Sequence, residues 1–201
     1  SVGIALLNQQ DNTVDAVLKH ADIALAQAKA KGRGTVRFFR SDMEVVVAAR
    51  AALEADLREG LAQQQFLLHY QPQVDDSGAL FGVEALVRWQ HPTLGELSPA
   101  LFIPLAERSG RIVELGGWVL EEACRAAVRL HAAGLPRVPV SVNVSAVQLR
   151  RPGFLERVRR ALDDSGLAPA LLELELTESV LMDDASGVAA TLAALRGLGL
   201  K

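Results

Sequence analysis

Between residues 66 and 197 the chain alternates short aliphatic runs with longer stretches of helical periodicity, and four of the short runs carry polar residues at every second position. A strand buried on both faces of a parallel sheet is almost wholly aliphatic, so this pattern limits the architectures open to the chain. In 80–89, Phe81, Val83, Ala85, Val87 and Trp89 share one face, with Gly82, Glu84, Leu86 and Arg88 on the other. In 139–145, Val140, Val142 and Val144 alternate with Ser141, Asn143 and Ser145; in 171–177, Leu172, Leu174 and Leu176 alternate with Glu173, Glu175 and Thr177. Strand 66–74 sets Leu68 and Tyr70 against His69, Gln71 and Gln73. The turn-forming run Asp75-Asp76-Ser77-Gly78 predicts an antiparallel hairpin between the first two strands. Helices expected at about 116–133, 154–165 and 186–197 then alternate with strands, which argues for parallel βα units. Antiparallel strands with one wet face would show similar patterning, but the βα alternation speaks against them. A (β/α) barrel, with apolar positions against helices and polar positions in its mouth, is favoured over an open sheet.

The first 40 residues read separately. Val2 to Leu7 predicts a strand and Asn8 to Asn12 a turn. A helix capped by Thr13 follows, with Val14, Val17, Leu18, Ala21, Leu25 and Ala28 on one stripe. Lys29, Lys31 and Gly32 close that helix, and 35–39 predicts a second strand. A piece of this size is too small to hold a core alone. Residues 43–63 read as a helix that either links or opens the next domain, and 90–115 as a long structured loop with a short helix near 104–108.

Lys and Arg total 21 against 24 Asp and Glu, for a net charge of −3, so tight non-specific nucleic-acid binding has no basis. The single cysteine, Cys124, excludes an intrachain disulfide and a multi-cysteine zinc site. The four histidines are not spaced as a metal set and read as structural. What remains is an oxygen-donor set, Glu84, Asn143 and Glu175, from three strands. Hard cations such as Mg²⁺ or Mn²⁺ take such ligands. Arg88, on the face of Glu84, offers a bidentate fork to phosphate. Carboxylates beside a phosphate-binding arginine suggest metal-assisted phosphoester chemistry. Each residue singly has a bland reading: a Glu84–Arg88 ion pair, a buried Asn143 network, a Glu175 salt bridge at the barrel end.

Glu84-Ala85-Leu86 with Val87-Arg88-Trp89, preceded by Tyr70-Gln71-Pro72, resembles the EAL family of cyclic-di-GMP phosphodiesterases. The resemblance continues through His91-Pro92, 102–107 (Phe-Ile-Pro-Leu-Ala-Glu), Ser141-Val142-Asn143-Val144-Ser145 and Glu175-Leu176-Thr177-Glu178, covering about 48 to 201. It implies a TIM-like (β/α)8 barrel whose first strand runs antiparallel, of which 41–201 would be the first two-thirds. It also implies that Glu84, Asn143 and Glu175 ligate the metal, that Glu178 steadies a metal-bearing loop, that Arg88 holds phosphate, and that Gln71 and Leu86 touch the dinucleotide. The implied reaction is hydrolysis of one phosphodiester of cyclic-di-GMP to linear pGpG with Mg²⁺ or Mn²⁺. Residues 1–40 resemble the tail of a GGDEF diguanylate cyclase domain through Ser1-Val2-Gly3-Ile4-Ala5, Ala21-Asp22 and 28–33, with Lys29 and Arg33 matching phosphate contacts or, equally, a basic helix end.

A full barrel takes about 250 residues, and the family's Asp-Asp-Phe-Gly loop and catalytic lysine would lie past Lys201. The 201-residue chain alone is therefore expected to be inactive and marginally stable, and its parent to be a cytoplasmic signalling protein, for which a homodimer stays open. Two rival readings stand beside the phosphodiesterase: a non-catalytic EAL receptor for cyclic-di-GMP, and the regulatory portion of a diguanylate cyclase. No membrane contact is expected from this segment.

Overall fold

The computed structural model describes residues 1–7, 13–30, 34–176 and 185–200. They form two compact units, Ser1–Asp56 and Leu57–Lys201. No helix among the described residues is long and apolar enough to cross a membrane.

In the first unit, β1 (Val2–Ile4) and β2 (Val36–Phe38) pair in parallel across α1 (Val14–Ala30). Both strands are shorter than their apolar runs suggested. The Thr13 hydroxyl accepts a hydrogen bond from the Ala16 amide at 3.2 Å, which satisfies one of the open donors at the start of α1. Ala24 and Ala28 form the fully buried part of its stripe. Gly3 permits the close packing of β1 on α1, since a Cβ there would stand 2.3 Å from the Ala21 carbonyl oxygen. Val2, Val36 and Phe38 remain exposed. Helix α2 (Ser41–Ala62) runs from the end of this unit into the start of the next.

The second unit continues with β3 (Phe66–Val74), β4 (Leu80–His91), β5 (Gly95–Leu97), α3 (Pro99–Ser109), α4 (Ile112–Ala132), β6 (Val140–Val144), α5 (Ala146–Leu149), α6 (Phe154–Ser165), β7 (Leu172–Leu176) and α7 (Ala185–Gly197). Its sheet runs β3-β4-β6-β7, with β5 folded back on β4. The β3–β4 pair is antiparallel, whereas β4, β6 and β7 are parallel neighbours. Asp75 organises the hairpin turn: its Oδ1 accepts from the Ser77 amide at 2.9 Å, the Ser77 hydroxyl at 2.6 Å and the Ala79 amide at 3.0 Å. The apolar strand face is the buried one, with Trp89 and Leu172 fully buried and Val142 nearly so. Phe66, Trp89 and Phe102 interlock there, with ring centroids 5.2 to 5.7 Å apart.

The stretch 90–115, expected as a loop with one short helix, is more regular than that. Antiparallel pairing of Trp89 with Leu97 and Gln90 with Glu96 makes β5, and α3 starts at Pro99, the first-turn position where a missing amide is harmless. Pro104 lies inside α3 on its exposed side, and the buried stripe of Phe102, Leu105 and Ala106 outweighs the hydrogen bond it forgoes. Helix α4 likewise begins before Gly116-Gly117 instead of at the pair. A Cβ on Gly116 would lie 1.8 Å from Gln148 Nε2, and one on Gly117 2.0 Å from Arg157 Nη1, so these glycines serve packing and do not break the helix.

Candidate functional site

Strand register sets the polar positions out in rows. Gln71 lies opposite Glu84, Glu84 opposite Ser141, and Ser141 opposite Glu173. Same-face residues recur at every second position, so Leu86 and Arg88 continue the face of Glu84, and Asn143 that of Ser141. Asn143 is in turn opposite Glu175. Gln71, Glu84, Leu86, Arg88, Asn143 and Glu175 thus share one face of four adjacent strands.

Glu84 and Asn143 touch: Asn143 Nδ2 donates to Glu84 Oε1 at 2.7 Å. This contact occupies the amide nitrogen of Asn143 and leaves its Oδ1 without a hydrogen bond among the described residues. Glu175 starts one strand spacing away, about 4.8 Å. Two carboxylates and a carboxamide oxygen on adjacent strands suit a hard divalent cation, which takes oxygen donors. They make a partial set, since no group of three His, Cys, Asp or Glu side chains among the described residues could hold a metal ion. Glu178, expected beside this set, lies outside the described residues, as does Arg33. Lys29 is exposed in the last turn of α1.

Arg88 does not pair with Glu84; four strand residues separate them by about 13 Å along β4. Its Nη1 donates to the Val87 carbonyl at 2.9 Å, and its Nε lies 3.7 Å from Glu96 Oε1. Glu96 was not singled out from the sequence, yet pairing across the 91–95 turn sets it on the same face as Arg88. His69, read as structural, lies on this face too, with Nε2 3.8 Å from Glu96 Oε2. The signal that could have found Glu96 is the Gly95 turn, whose φ of 72° reverses the chain and pairs Gln90 with Glu96.

Ser141 was a second omission. It is 1 % exposed, and its hydroxyl has no hydrogen-bond partner among the described residues. Its small side chain sits between the register partners Glu84 and Glu173. His91 fits its structural reading: buried, with Nδ1 accepting from the Thr93 and Leu94 amides at 3.3 Å. Tyr70 belongs to the helix-facing side, where burial pushes its hydroxyl up to about 12 and keeps it neutral.

Beside Leu86 and Asn143 opens a cavity of about 260 Å³, walled mainly by apolar side chains such as Val87, Pro99, Ile103 and Leu115. Glu107 and Gln148 are among its few polar groups. The wall beyond β6 is fixed by a reciprocal cap: Gln148 N donates to Ser145 Oγ at 3.3 Å, and Ser145 N donates to Gln148 Oε1 at 3.1 Å. This cap follows Asn143 by only two residues and so fixes the end of the strand that presents it.

A mixed sheet with helices against its apolar face, and oxygen donors with an arginine on the other, describes an α/β fold of the TIM-like barrel family. The chain belongs to the EAL domain family, whose model matches residues 54–201. It is 42 % identical over 201 residues to the cyclic di-GMP phosphodiesterase NbdA of Pseudomonas aeruginosa, covering all of this chain and 26 % of the relative. It is 41 % identical to the bifunctional diguanylate cyclase/cyclic di-GMP phosphodiesterase MucR of the same organism, covering 29 % of that protein. The chain thus spans about a quarter of the length of these relatives. Among solved structures, the MucR phosphodiesterase in complex with c-di-GMP superposes with a TM-score of 0.71 at 43 % identity, over 74 % of this chain and 61 % of that one.

Proposed function

We propose that the protein carrying this chain hydrolyses one phosphodiester of cyclic-di-GMP to give linear pGpG, with Mg²⁺ or Mn²⁺ held by Glu84, Asn143 and Glu175. The observation that supports this reading is the 2.7 Å contact between Asn143 and Glu84, with Glu175 the register partner of Asn143 on the next strand. When bound, the cation supplies Lewis-acid stabilisation of charge building up on the phosphate oxygens. Asn143 orients the Glu84 carboxylate through its amide hydrogen. Arg88 binds a phosphate oxygen of the substrate, and Gln71 reaches the dinucleotide from β3. Leu86, on the same face, touches the dinucleotide. Glu178 would steady the loop that completes the metal site.

We read 41–201 as the first two-thirds of an EAL barrel with an antiparallel first strand. Residues 1–40 we read as the tail of a GGDEF domain, with Lys29 and Arg33 at its phosphate end. The exposed Val2, Val36 and Phe38 support that division, because a two-stranded sheet needs further strands to cover such residues. We place the site in the cytoplasm.

The test is turnover of cyclic-di-GMP by the full-length protein with Mn²⁺, alongside Glu84→Ala and Glu175→Ala. Each substitution should lower kcat at least about a hundredfold, since each removes a ligand and losing even a supporting partner costs 10- to 100-fold. Turnover unaffected by either substitution refutes the assignment. Because the described donors make only a partial metal set, a receptor that binds the dinucleotide without cleaving it is the second reading. Binding without turnover in the intact protein would establish it.

A further inference from the structure

The cavity of about 260 Å³ beside Leu86 and Asn143 lies mostly behind the sheet. Ala85, Val87 and Val144 line it, and strand parity sets their side chains on the face opposite Glu84 and Asn143. The facing wall is made of two helical stripes. Pro99, Ile103 and Glu107 recur every four residues along α3, and Ile112, Leu115 and Val119 every three or four along α4. The α3 stripe thus ends in a carboxylate, and Glu107 makes no side-chain hydrogen bond or ion pair among the described residues. Gln148 also lines the cavity and is 5 % exposed. Its Oε1 accepts from the Ser145 amide at 3.1 Å, while its Nε2 lies in the space that Gly116 leaves open and donates to nothing among the described residues. An apolar chamber therefore carries one unpaired carboxylate and one unpaired, buried donor. Polar groups of this kind normally find partners, and a bound molecule would satisfy both.

We propose that this cavity is a binding site for a small organic amine: the apolar body of the ligand sits between the sheet and the two helices, its ammonium group meets Glu107, and an oxygen on it accepts from Gln148 Nε2. The volume suits such a molecule. An apolar cavity of about 150 Å³ takes up benzene, so 260 Å³ holds a ring with a short polar arm. The walls suit it as well, being apolar with a few polar groups to fix orientation. Charge sets the class of ligand. Glu107 is the one ionisable side chain among the described residues of the lining, so the site attracts a cation and repels an anion. Binding here uses neither the Glu84–Asn143 pair nor Arg88, and the ligand stands apart from the dinucleotide on the opposite face of the sheet.

The experiment is a titration of the full-length protein, read by saturation-transfer NMR, with phenylethanolamine, phenylethanediol and mandelate. The three probes share a ring and a hydroxyl and differ in charge: positive, neutral and negative. Phenylethanolamine should bind roughly tenfold more tightly than phenylethanediol, because a charge-assisted hydrogen bond is about twice as strong as a neutral one. Mandelate should bind more weakly than either. Glu107→Gln keeps the shape and removes the charge; it should erase the tenfold preference and leave phenylethanediol unchanged. Ile103→Phe fills the chamber and should abolish binding of all three probes, with a wild-type circular dichroism spectrum showing that the variant is folded. Absence of binding, equal affinity for amine and diol, or a preference that survives Glu107→Gln overturns the proposal. Undiminished binding to folded Ile103→Phe places the amine elsewhere and overturns it too. Displacement of phenylethanolamine by saturating cyclic-di-GMP has the same consequence, since the cavity would then belong to the dinucleotide site.

Discussion

Replacing Gly116 by alanine tests whether the end of the strand that presents Asn143 is held by packing from α4. In a free helix the change is favourable by about 1 kcal/mol, because alanine loses less backbone entropy than glycine. Here the new methyl would lie 1.8 Å from Gln148 Nε2, 2.5 Å from its Cδ and 2.9 Å from its Oε1. These distances are impossible, so the end of the Gln148 side chain, 5 % exposed, must shift toward the cavity it lines. The Ser145 amide then loses the acceptor it has at 3.1 Å. A part-buried amide left unpaired costs up to about 1 to 3 kcal/mol, and crowding a packed site costs a similar amount. Against the helix gain of about 1 kcal/mol, the net is a destabilisation of about 1 to 5 kcal/mol. Thermal unfolding of the full-length protein followed by circular dichroism should show Gly116→Ala melting several degrees lower, at about 2 to 4 °C per kcal/mol. Gly197→Ala, at the end of α7 where a Cβ meets nothing within 4 Å, is the control and should be neutral or slightly stabilising. A Gly116→Ala protein that melts at or above the wild-type temperature refutes this account of the cap.

Cys124 is fully buried in α4, and burial pushes its thiol up to about 12, so at pH 8 it is a neutral thiol. A thiol reagent should label it only after denaturation; rapid labelling of native protein would show that α4 opens readily. The Asp75 carboxyl is held below the usual carboxylate range, first by the Ser77 hydroxyl and then by the Ala79 amide. A depressed folded value means its contribution is present above about pH 4 and fades as pH falls through that lowered value. Hydrogen exchange at the Ser77 and Ala79 amides should accordingly speed up in acid beyond the intrinsic rate, and Asp75→Ala should erase that dependence. An unchanged acid response in Asp75→Ala would remove Asp75 as its source.

The antiparallel hairpin, the helix at 154–165 and the alternating strands were legible in the sequence because each is set locally, by turn residues or by a period of 2 or 3.6. The same period separated Glu84, Asn143 and Glu175 from the apolar positions, since a side chain's face on a strand depends only on parity. Which strands stand side by side, and in what register, depends on pairings distant along the chain, and these brought Asn143 to Glu84 and set Ser141 between Glu84 and Glu173. The β5 segment escaped notice because three residues carry too little periodicity to announce a strand, so Glu96 and its hold on Arg88 emerged only from the pairing of Gln90 with Glu96. The start of α4 was set four residues late, at Gly116-Gly117, where the decisive fact is the close approach of Gln148 and Arg157 from elements more than thirty residues away. Composition and parity chose the residues facing the site; only long-range contact decided which of them meet.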